Sequence, residues 1–438
     1  MVKPSEKLNW IPDNTTNITD PSGLKTAGFT SGQKVVANFN NYLFNRASQW
    51  INWVDSTIIE VDTTITVDSS AEYIAMAALF SSGVILLNNS TLTVNIDLAI
   101  TPTTTLEINS VSGGKLIFNS NPGFSLNTSL HINNCSAEIE IRNIKNIKNL
   151  SAGESAVKVI NCSKVWFEDC SITPTNTLAD SQTVLIDASD VLFDNVTGTA
   201  APNSEYNYRI INNGHLHFTN ASSLNDASAT EPFYQIYCAD SSSFSADWNI
   251  FKNTSLPVFC ESGIYPKIPT SIYVYVTTSN LSRVITFAAN IRHLDCDIIF
   301  VCKDAITTNP IVFSNYISGF GSITFRGGQY FKQIEFTKGS SIKIFVDTII
   351  AYFYASNLAF LKLETSGTFG APLELMLDSL FLENCNNVYL NGTVRRWIDS
   401  GMRCSNCKIR TKTFSPASSE PERQVLVFAS DGSIVSAS

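Results

Sequence analysis

The sequence predicts an all-β protein: a right-handed parallel β-helix behind a short N-terminal arm and α-helix. Three observations carry this. Short strands with alternating apolar and polar residues fill the chain from about residue 57 onward. A unit of about 25 residues repeats. The same residue types recur at the same offsets inside each copy. A solenoid coil buries its inward residues against the next coil, so like side chains stack on like. A sandwich has no reason to keep such a register, and a propeller blade is longer, about 40 residues.

The arm comes first. Residues 1 to about 35 are punctuated by Pro12, Pro21 and Gly32, which mark turns. The stretch "NFNNYLFNRASQWINWVD" follows, from Asn38 to Asp55. Its Phe39, Leu43, Ala47, Trp50 and Val54 fall on one helical face. Tyr42, Ile51 and Trp53 lie off that stripe. One short helix cannot bury so wide an aromatic surface alone, so it needs sister chains or another protein against it. No further amphipathic helix is expected.

The strands begin near Thr57 with "TIIEVDTTITVD", "TLTVNIDLAI", "KLIFNS" and "AEIEIRNI". The repeat is sharpest in "VINCSKVWFEDC" (159–170), "LIDASDVLFDNV" (185–196) and "IINNGHLHFTNA" (210–221). Ile160, Ile186 and Ile211 align, as do Val165, Val191 and Leu216, and Phe167, Phe193 and Phe218. Asp169, Asn195 and Asn220 follow at one offset. Between about 250 and 380 the register is expected to be lost, with insertions leaving the stack as loops. The tail carries a Pro/Ser linker and a hairpin signal at Asp431-Gly432. The division expected is 1–56 for arm and helix, 57–412 for the coils, and 413–438 for a linker and small β cap.

Composition narrows the function. The 438 residues are 44% hydrophobic, enough for a large core, and only 15% charged, with Asn, Ser and Thr making up the difference. The net charge of -9 lacks the basic footprint that phosphate binding requires, so no nucleic-acid partner is expected. No apolar run is long enough for a membrane span, so no insertion is expected. The first residues, "MVKPSEKLNWIPDN", show no apolar core of a signal peptide. Ten cysteines begin only at Cys135 and read as small buried residues. Cys404-Ser-Asn-Cys407 is a lone pair without a second ligand pair, so neither a metal nor a cofactor is assigned.

The N-terminal segment resembles that of tail fibre and tailspike proteins of tailed bacteriophages. The resemblance rests on Trp10-Ile11-Pro12, Gly28-Phe29, Gly32-Gln33-Lys34, then Phe39-Asn40-Asn41-Tyr42-Leu43-Phe44-Asn45 and Trp50. It covers about the first 55 residues. Tyr42 stands where the family often has Trp, and Val35 and Val36 where it often has Pro. The resemblance implies a virion protein, made in the bacterial host cytoplasm and located in the tail or baseplate region. It implies a homotrimer that docks on other tail proteins through Trp10, Phe39, Tyr42, Leu43, Phe44, Trp50 and Trp53, and a rod that contacts host surface polysaccharide. Two further readings stay open: a glycan depolymerase, and an adaptor or decoration fibre without receptor binding.

Glycosidic hydrolysis needs one protonated and one ionised carboxyl. Candidate acids in the best-registered coils are Glu168, Asp169, Asp187, Asp190, Asp194, Asp240 and Asp247. Glu168 and Asp194 face solvent if Phe167 and Phe193 point inward. Against a catalytic role stands a structural one, because Asp and Asn at coil corners cap turns through backbone N–H groups. Tyr206, Tyr208, Phe233 and Tyr234 are candidate sugar-stacking rings. His215 and His217 alternate on one strand, which places both outward as a solvated pair.

Overall fold

A computed structural model describes residues 58–437, apart from 98–103, 122–123, 150–152, 175–181, 200–205, 221, 226–233, 248–257, 269–270, 359–360, 365–376, 384–387, 392–401, 406–407, 414–421 and 429–433. The aromatic helix and arm, with Trp10, Phe39, Tyr42, Leu43, Phe44, Trp50 and Trp53, lie outside the described residues, as does Phe233. The fold is a solenoid of parallel strands with a spacing of about 25 residues per coil. The chain divides into two compact units. The first takes in the elements up to Ile172, without Ser151–Ser155, and adds Asp187–Leu192. The second takes in Ser151–Ser155, Thr173–Ile186 and everything from Phe193 on.

In the first unit, Thr63–Val67, Thr91–Ile96, Lys115–Ser120, Glu138–Arg142 and Lys164–Glu168 follow one another in a single parallel ladder. Leu106–Asn109, Leu130–Asn133 and Val157–Ile160 form a second. From Leu106 on, each coil gives one strand to each ladder. Period-two alternation turns Leu116 and Phe118, Ile139 and Ile141, and Val165 and Phe167 inward, where all six are fully buried. At the corners Asn134, Asn143, Asn161 and Asp169 adopt positive φ, which Asn and Asp tolerate better than other side-chain-bearing residues. Asparagine amides, at corners and within strands, also bind coil to coil. Asn143 Nδ2 donates to Asn119 Oδ1 at 3.1 Å, and Asn119 Nδ2 to Asn95 Oδ1 at 3.3 Å.

The helix Ser70–Ser82 corrects the expectation that none would follow the N-terminal one. Ser69 caps it by accepting from Glu72 N at 3.3 Å, and Glu72 reaches back to Asp68 N at 3.0 Å. Tyr73, Met76 and Phe80 are its buried stripe, and Phe80 meets Phe118 edge-on at 5.0 Å. These signals stand in the sequence, between two strands.

The first ladder carries charges that pair across coils and along one strand. Arg142 binds Glu168 at 3.1 Å and Glu140 at 2.6 Å, Lys164 binds Glu138 at 3.1 Å, and Lys115 reaches Glu138 and Glu140. Burial works against the charge of Glu138, but the Lys164 and Lys115 ammoniums hold its carboxyl below the ordinary carboxylate value. A depressed folded-state value stabilises above the unfolded value and is lost as pH falls through the folded one. The denaturant midpoint is therefore expected to drop below about pH 4.3. Glu138→Gln should make that acid limb shallower in pH-resolved denaturation.

In the second unit, Tyr206–Ile211, Tyr234–Cys238 and Val258–Cys260 stack in parallel, as do His215–Thr219 and Ser243–Ala246. The loss of register expected between about 250 and 380 does not extend over 272–356. There Ile272–Val276, Ile298–Cys302, Ser322–Phe336 and Lys343–Ser356 pair in parallel, with a register shift between Arg326 and Tyr330. The isoleucine ladder continues through Ile272, Ile298, Ile323 and Ile344, and phenylalanines stack beside it: Phe300 on Phe325 at 5.2 Å, and Phe313 on Phe336 at 4.4 Å. A second unexpected helix, Leu281–Asn290, buries Leu281, Val284, Phe287 and Ala288. At the end, Lys408–Thr413, Glu422–Phe428 and Ile434–Ala437 pair antiparallel, in keeping with the hairpin signal.

The repeat alignment needs one local shift. Val159, Ile186 and Ile210 are fully buried, whereas Ile160 and Ile211 are only half-buried. Three residues separate the strands Val157–Ile160 and Lys164–Glu168, and three separate Tyr206–Ile211 and His215–Thr219. Only Ala188 and Ser189 separate Gln182–Asp187 from Asp190–Asp194. The longer corner moves the inward residue back by one. The seven described cysteines from Cys135 to Cys302 are all buried, and burial pushes the Cys170, Cys296 and Cys302 thiols up to about 12. Among the described residues, no helix is long and apolar enough to cross a membrane.

Candidate functional site

Two outward features of the second unit are candidates for a binding site. The first begins on the strand Tyr206–Ile211. Its alternation breaks at Asn207 and Tyr208, which are both buried. Asn207 Nδ2 donates to Gln235 Oε1 at 2.9 Å in the next coil, which gives the nitrogen of this inward amide a partner while its Oδ1 has none among the described residues. Tyr206 and Arg209 are left on the outer face.

Register then builds a row. Arg209 lies opposite Tyr237, and Tyr237 opposite Phe259. The rings of Tyr206 and Tyr237 sit 4.5 Å apart at 36°, and those of Tyr237 and Phe259 6.1 Å apart at 13°. The Arg209 guanidinium lies 6.0 Å from the Tyr206 ring and 5.9 Å from the Tyr237 ring. The Tyr237 hydroxyl donates to the Glu261 carboxylate. Three half-exposed rings thus line up with a cation beside them and a carboxylate at one end. A pyranose ring has an apolar C–H face and polar hydroxyl edges, which such a row matches: ring faces for the C–H groups, charged groups for the hydroxyls.

The second feature is a cavity of about 530 Å³ lined by Lys267, Ile268, Asp295, Asp297 and Phe320, among others. Asp295 and Asp297 flank the buried Cys296 at the turn before the strand Ile298–Cys302. His293 Nε2 approaches Asp295 Oδ2 at 3.2 Å, and Ser322 Oγ donates to Asp297 Oδ1 at 2.7 Å. Phe320, one coil on, is 95% exposed, which is unusual for an aromatic ring beside two carboxylates.

Comparison with known protein families, characterised proteins and solved structures finds no match.

The residues expected from the sequence fall unevenly on these features. Tyr206 joins the aromatic row. Tyr208 does not: it is fully buried, its ring against Phe193 at 6.0 Å and Phe218 at 5.8 Å, so it offers no face to a sugar. Tyr234 pairs through its backbone with Tyr206. Glu168 points outward and is held by Arg142. Asp194 accepts from the Asn220 amide of the next coil, and Asp190 is exposed at the start of its strand. None of these three lines the described cavity. Sequence reasoning missed Tyr237, Phe259, Asp295, Asp297 and Phe320. Tyr237 lies 28 residues after Arg209 and Phe259 lies 22 after Tyr237, so the coil spacing finds both only if it is allowed to vary by three residues. Among the described residues, no group of three or more His, Cys, Asp or Glu could hold a metal ion.

Proposed function

We propose that this chain is a tail fibre or tailspike of a tailed bacteriophage, whose coils present a polysaccharide-contacting face to the host surface. The observation that carries the reading is the row of Tyr206, Tyr237 and Phe259 with Arg209 and Glu261, outward on a parallel β-helix. Sheet-borne rings are held rigid and lose little entropy on binding. The resemblance of the first 55 residues supports the same reading. In it, residues 1–56 anchor the protein to other tail or baseplate proteins, and three copies share the apolar surface of that helix.

The test is binding of the purified protein to a panel of bacterial surface polysaccharides. At least one should bind, and Tyr237→Ala should weaken it about tenfold or more, the loss of ~1.4 kcal/mol or greater expected of a central aromatic contact. Binding that Tyr237→Ala leaves unchanged would remove the row from the account.

A second reading has its own observation, the cavity with Asp295, Asp297 and the exposed Phe320. Two carboxylates beside a stacking ring suit glycosidic cleavage, with one as acid and the other as base or nucleophile. New reducing ends released from a bound polysaccharide, and lost in Asp297→Asn, would favour this depolymerase over a pure receptor-binding role.

A further inference from the structure

The strands His215–Thr219 and Ser243–Ala246 are adjacent coils in direct register, with His215 opposite Ser243 and His217 opposite Ser245. On their outer face five side chains form one chain of hydrogen bonds. Ser243 Oγ lies 2.7 Å from His215 Nδ1. His215 Nε2 lies 3.2 Å from Ser245 Oγ. Ser245 Oγ lies 2.5 Å from His217 Nδ1. His217 Nε2 lies 3.1 Å from Asp247 Oδ2. The two imidazoles are stacked, 6.5 Å apart at 16°.

Donor and acceptor roles along this chain follow from its end. An ionised Asp247 can only accept, so His217 Nε2 carries a proton. In the neutral imidazole Nδ1 is then an acceptor, and the Ser245 hydroxyl must donate to it. Ser245 Oγ keeps lone pairs, which accept from His215 Nε2–H. That leaves His215 Nδ1 to accept from Ser243. One direction of polarity satisfies every group. Its effect is concentrated on Ser245, whose proton is directed at a base that a carboxylate orients, with a second N–H aimed at the same oxygen.

We propose that Ser245 is a nucleophile for acyl transfer, with His217 as its general base and Asp247 as the positioning residue. This is the nucleophile, base and orienter arrangement that activates a serine hydroxyl, recognised by geometry and not by chain order. Ser245 Oγ forms a bond to the acyl carbonyl carbon as its proton passes to His217 Nδ1. The bond from that carbon to the alcohol oxygen breaks, and the alcohol leaves with the proton from His217. Water then attacks the acyl-serine, gives one proton to His217, and the carboxylic acid departs as Ser245 Oγ regains that proton. His215 Nε2–H is the donor placed beside the attacking oxygen, where it can stabilise charge on the tetrahedral carbonyl oxygen. The backbone N–H of Asp247 is occupied by Phe218 O at 3.0 Å and is not that donor.

The substrate class follows from the setting. The constellation lies on an open sheet face, with Asp247 69% exposed and His217 25% exposed. No described cavity has these residues in its lining. A short acyl group on a large alcohol suits such a face, since the leaving alcohol needs no pocket. An acetyl ester is the simplest case. The inference stands apart from the glycan-binding reading, because any accessible acetyl ester would test it.

The experiment uses the full chain with 4-nitrophenyl acetate, and separately with a fluorophosphonate probe followed by peptide mass analysis. Hydrolysis is expected to fall about 100-fold or more in Ser245→Ala, in line with loss of a nucleophile. The probe should add its mass to the peptide containing Ser245 in the unaltered protein, a readout that no folding defect of a variant can imitate. Asp247→Asn should slow both reactions, and Asp247→Glu should restore them in part. Ser245→Ala keeps both histidines, so hydrolysis that survives it is imidazole background. Survival of the rate, or absence of phosphonylation at Ser245, overturns the proposal.

Discussion

Truncating Phe193 to alanine is expected to lower the unfolding free energy by about 3–5 kcal/mol, measured as a fall in denaturant midpoint at constant slope. Phe193 is fully buried, and its ring meets Phe218 edge-on at 5.7 Å and Tyr208 at 6.0 Å. Edge-to-face pairs add about 0.5–1.5 kcal/mol beyond area burial. The cost should sit at the upper end because the cavity cannot collapse. Backbone ladders fix the separation of neighbouring coils at about 4.8 Å, so flanking side chains have no freedom to move in. Solenoid stability is close to a sum of nearest-neighbour terms. The damage should therefore be local. Amide exchange should rise in Tyr206–Ile211 and His215–Thr219 and stay unchanged in Ile298–Cys302. A uniform rise across all strands would mean that the molecule unfolds as one cooperative unit, against the nearest-neighbour picture.

The inward stack around Phe193 was legible because a strand's period of two and a coil's period of about 25 are both written in residue types. What failed were the places where one period is interrupted. Tyr206 and Tyr208 have the same parity, so alternation alone assigns them to one face. The buried pair Asn207 and Tyr208 breaks that parity, and the reason is a hydrogen bond to Gln235 in the next coil, invisible from either strand alone. Asp295 and Asp297 look like ordinary turn carboxylates. They become a candidate site only because Phe320 returns beside them a coil later. The helix Ser70–Ser82 carries a complete capping box and an apolar stripe, yet it sits where the surrounding pattern predicts strand. Between 272 and 356 the isoleucines still stack, but the last two strands lengthen to Ser322–Phe336 and Lys343–Ser356 and shift register between Arg326 and Tyr330, so the coils stay stacked while the repeat is harder to see in the sequence.

Gly321→Ala should be nearly as damaging as the core truncation, for the opposite reason. A Cβ there would sit 2.0 Å from Cys296 O and 2.8 Å from Cys296 C, which are backbone atoms that cannot swing aside. The Gly321 N–H also donates to Leu294 O at 2.8 Å, so the two segments are pulled together where the side chain would push them apart. Gly319 repeats the constraint, with φ +115 and Leu294 O only 2.1 Å from where a Cβ would stand. Relief requires the coils to separate locally, with loss of ladder hydrogen bonds, and the expected penalty is about 3 kcal/mol or more. Gly83→Ala is the matched control. Its nearest contact is Leu79 O at 3.0 Å and its φ is -114, so a change within about 1 kcal/mol is expected. Gly321 lines the cavity of Asp295, Asp297 and Phe320, so the same substitution separates two roles of that region. If the cavity binds or cleaves a glycan, Gly321→Ala should abolish that activity while the row at Tyr237, on other strands, keeps its polysaccharide affinity. A Gly321→Ala protein with an unchanged midpoint would mean that the backbone has slack at this corner, and the close packing of Gly321 on Cys296 would then explain nothing about why glycine stands there.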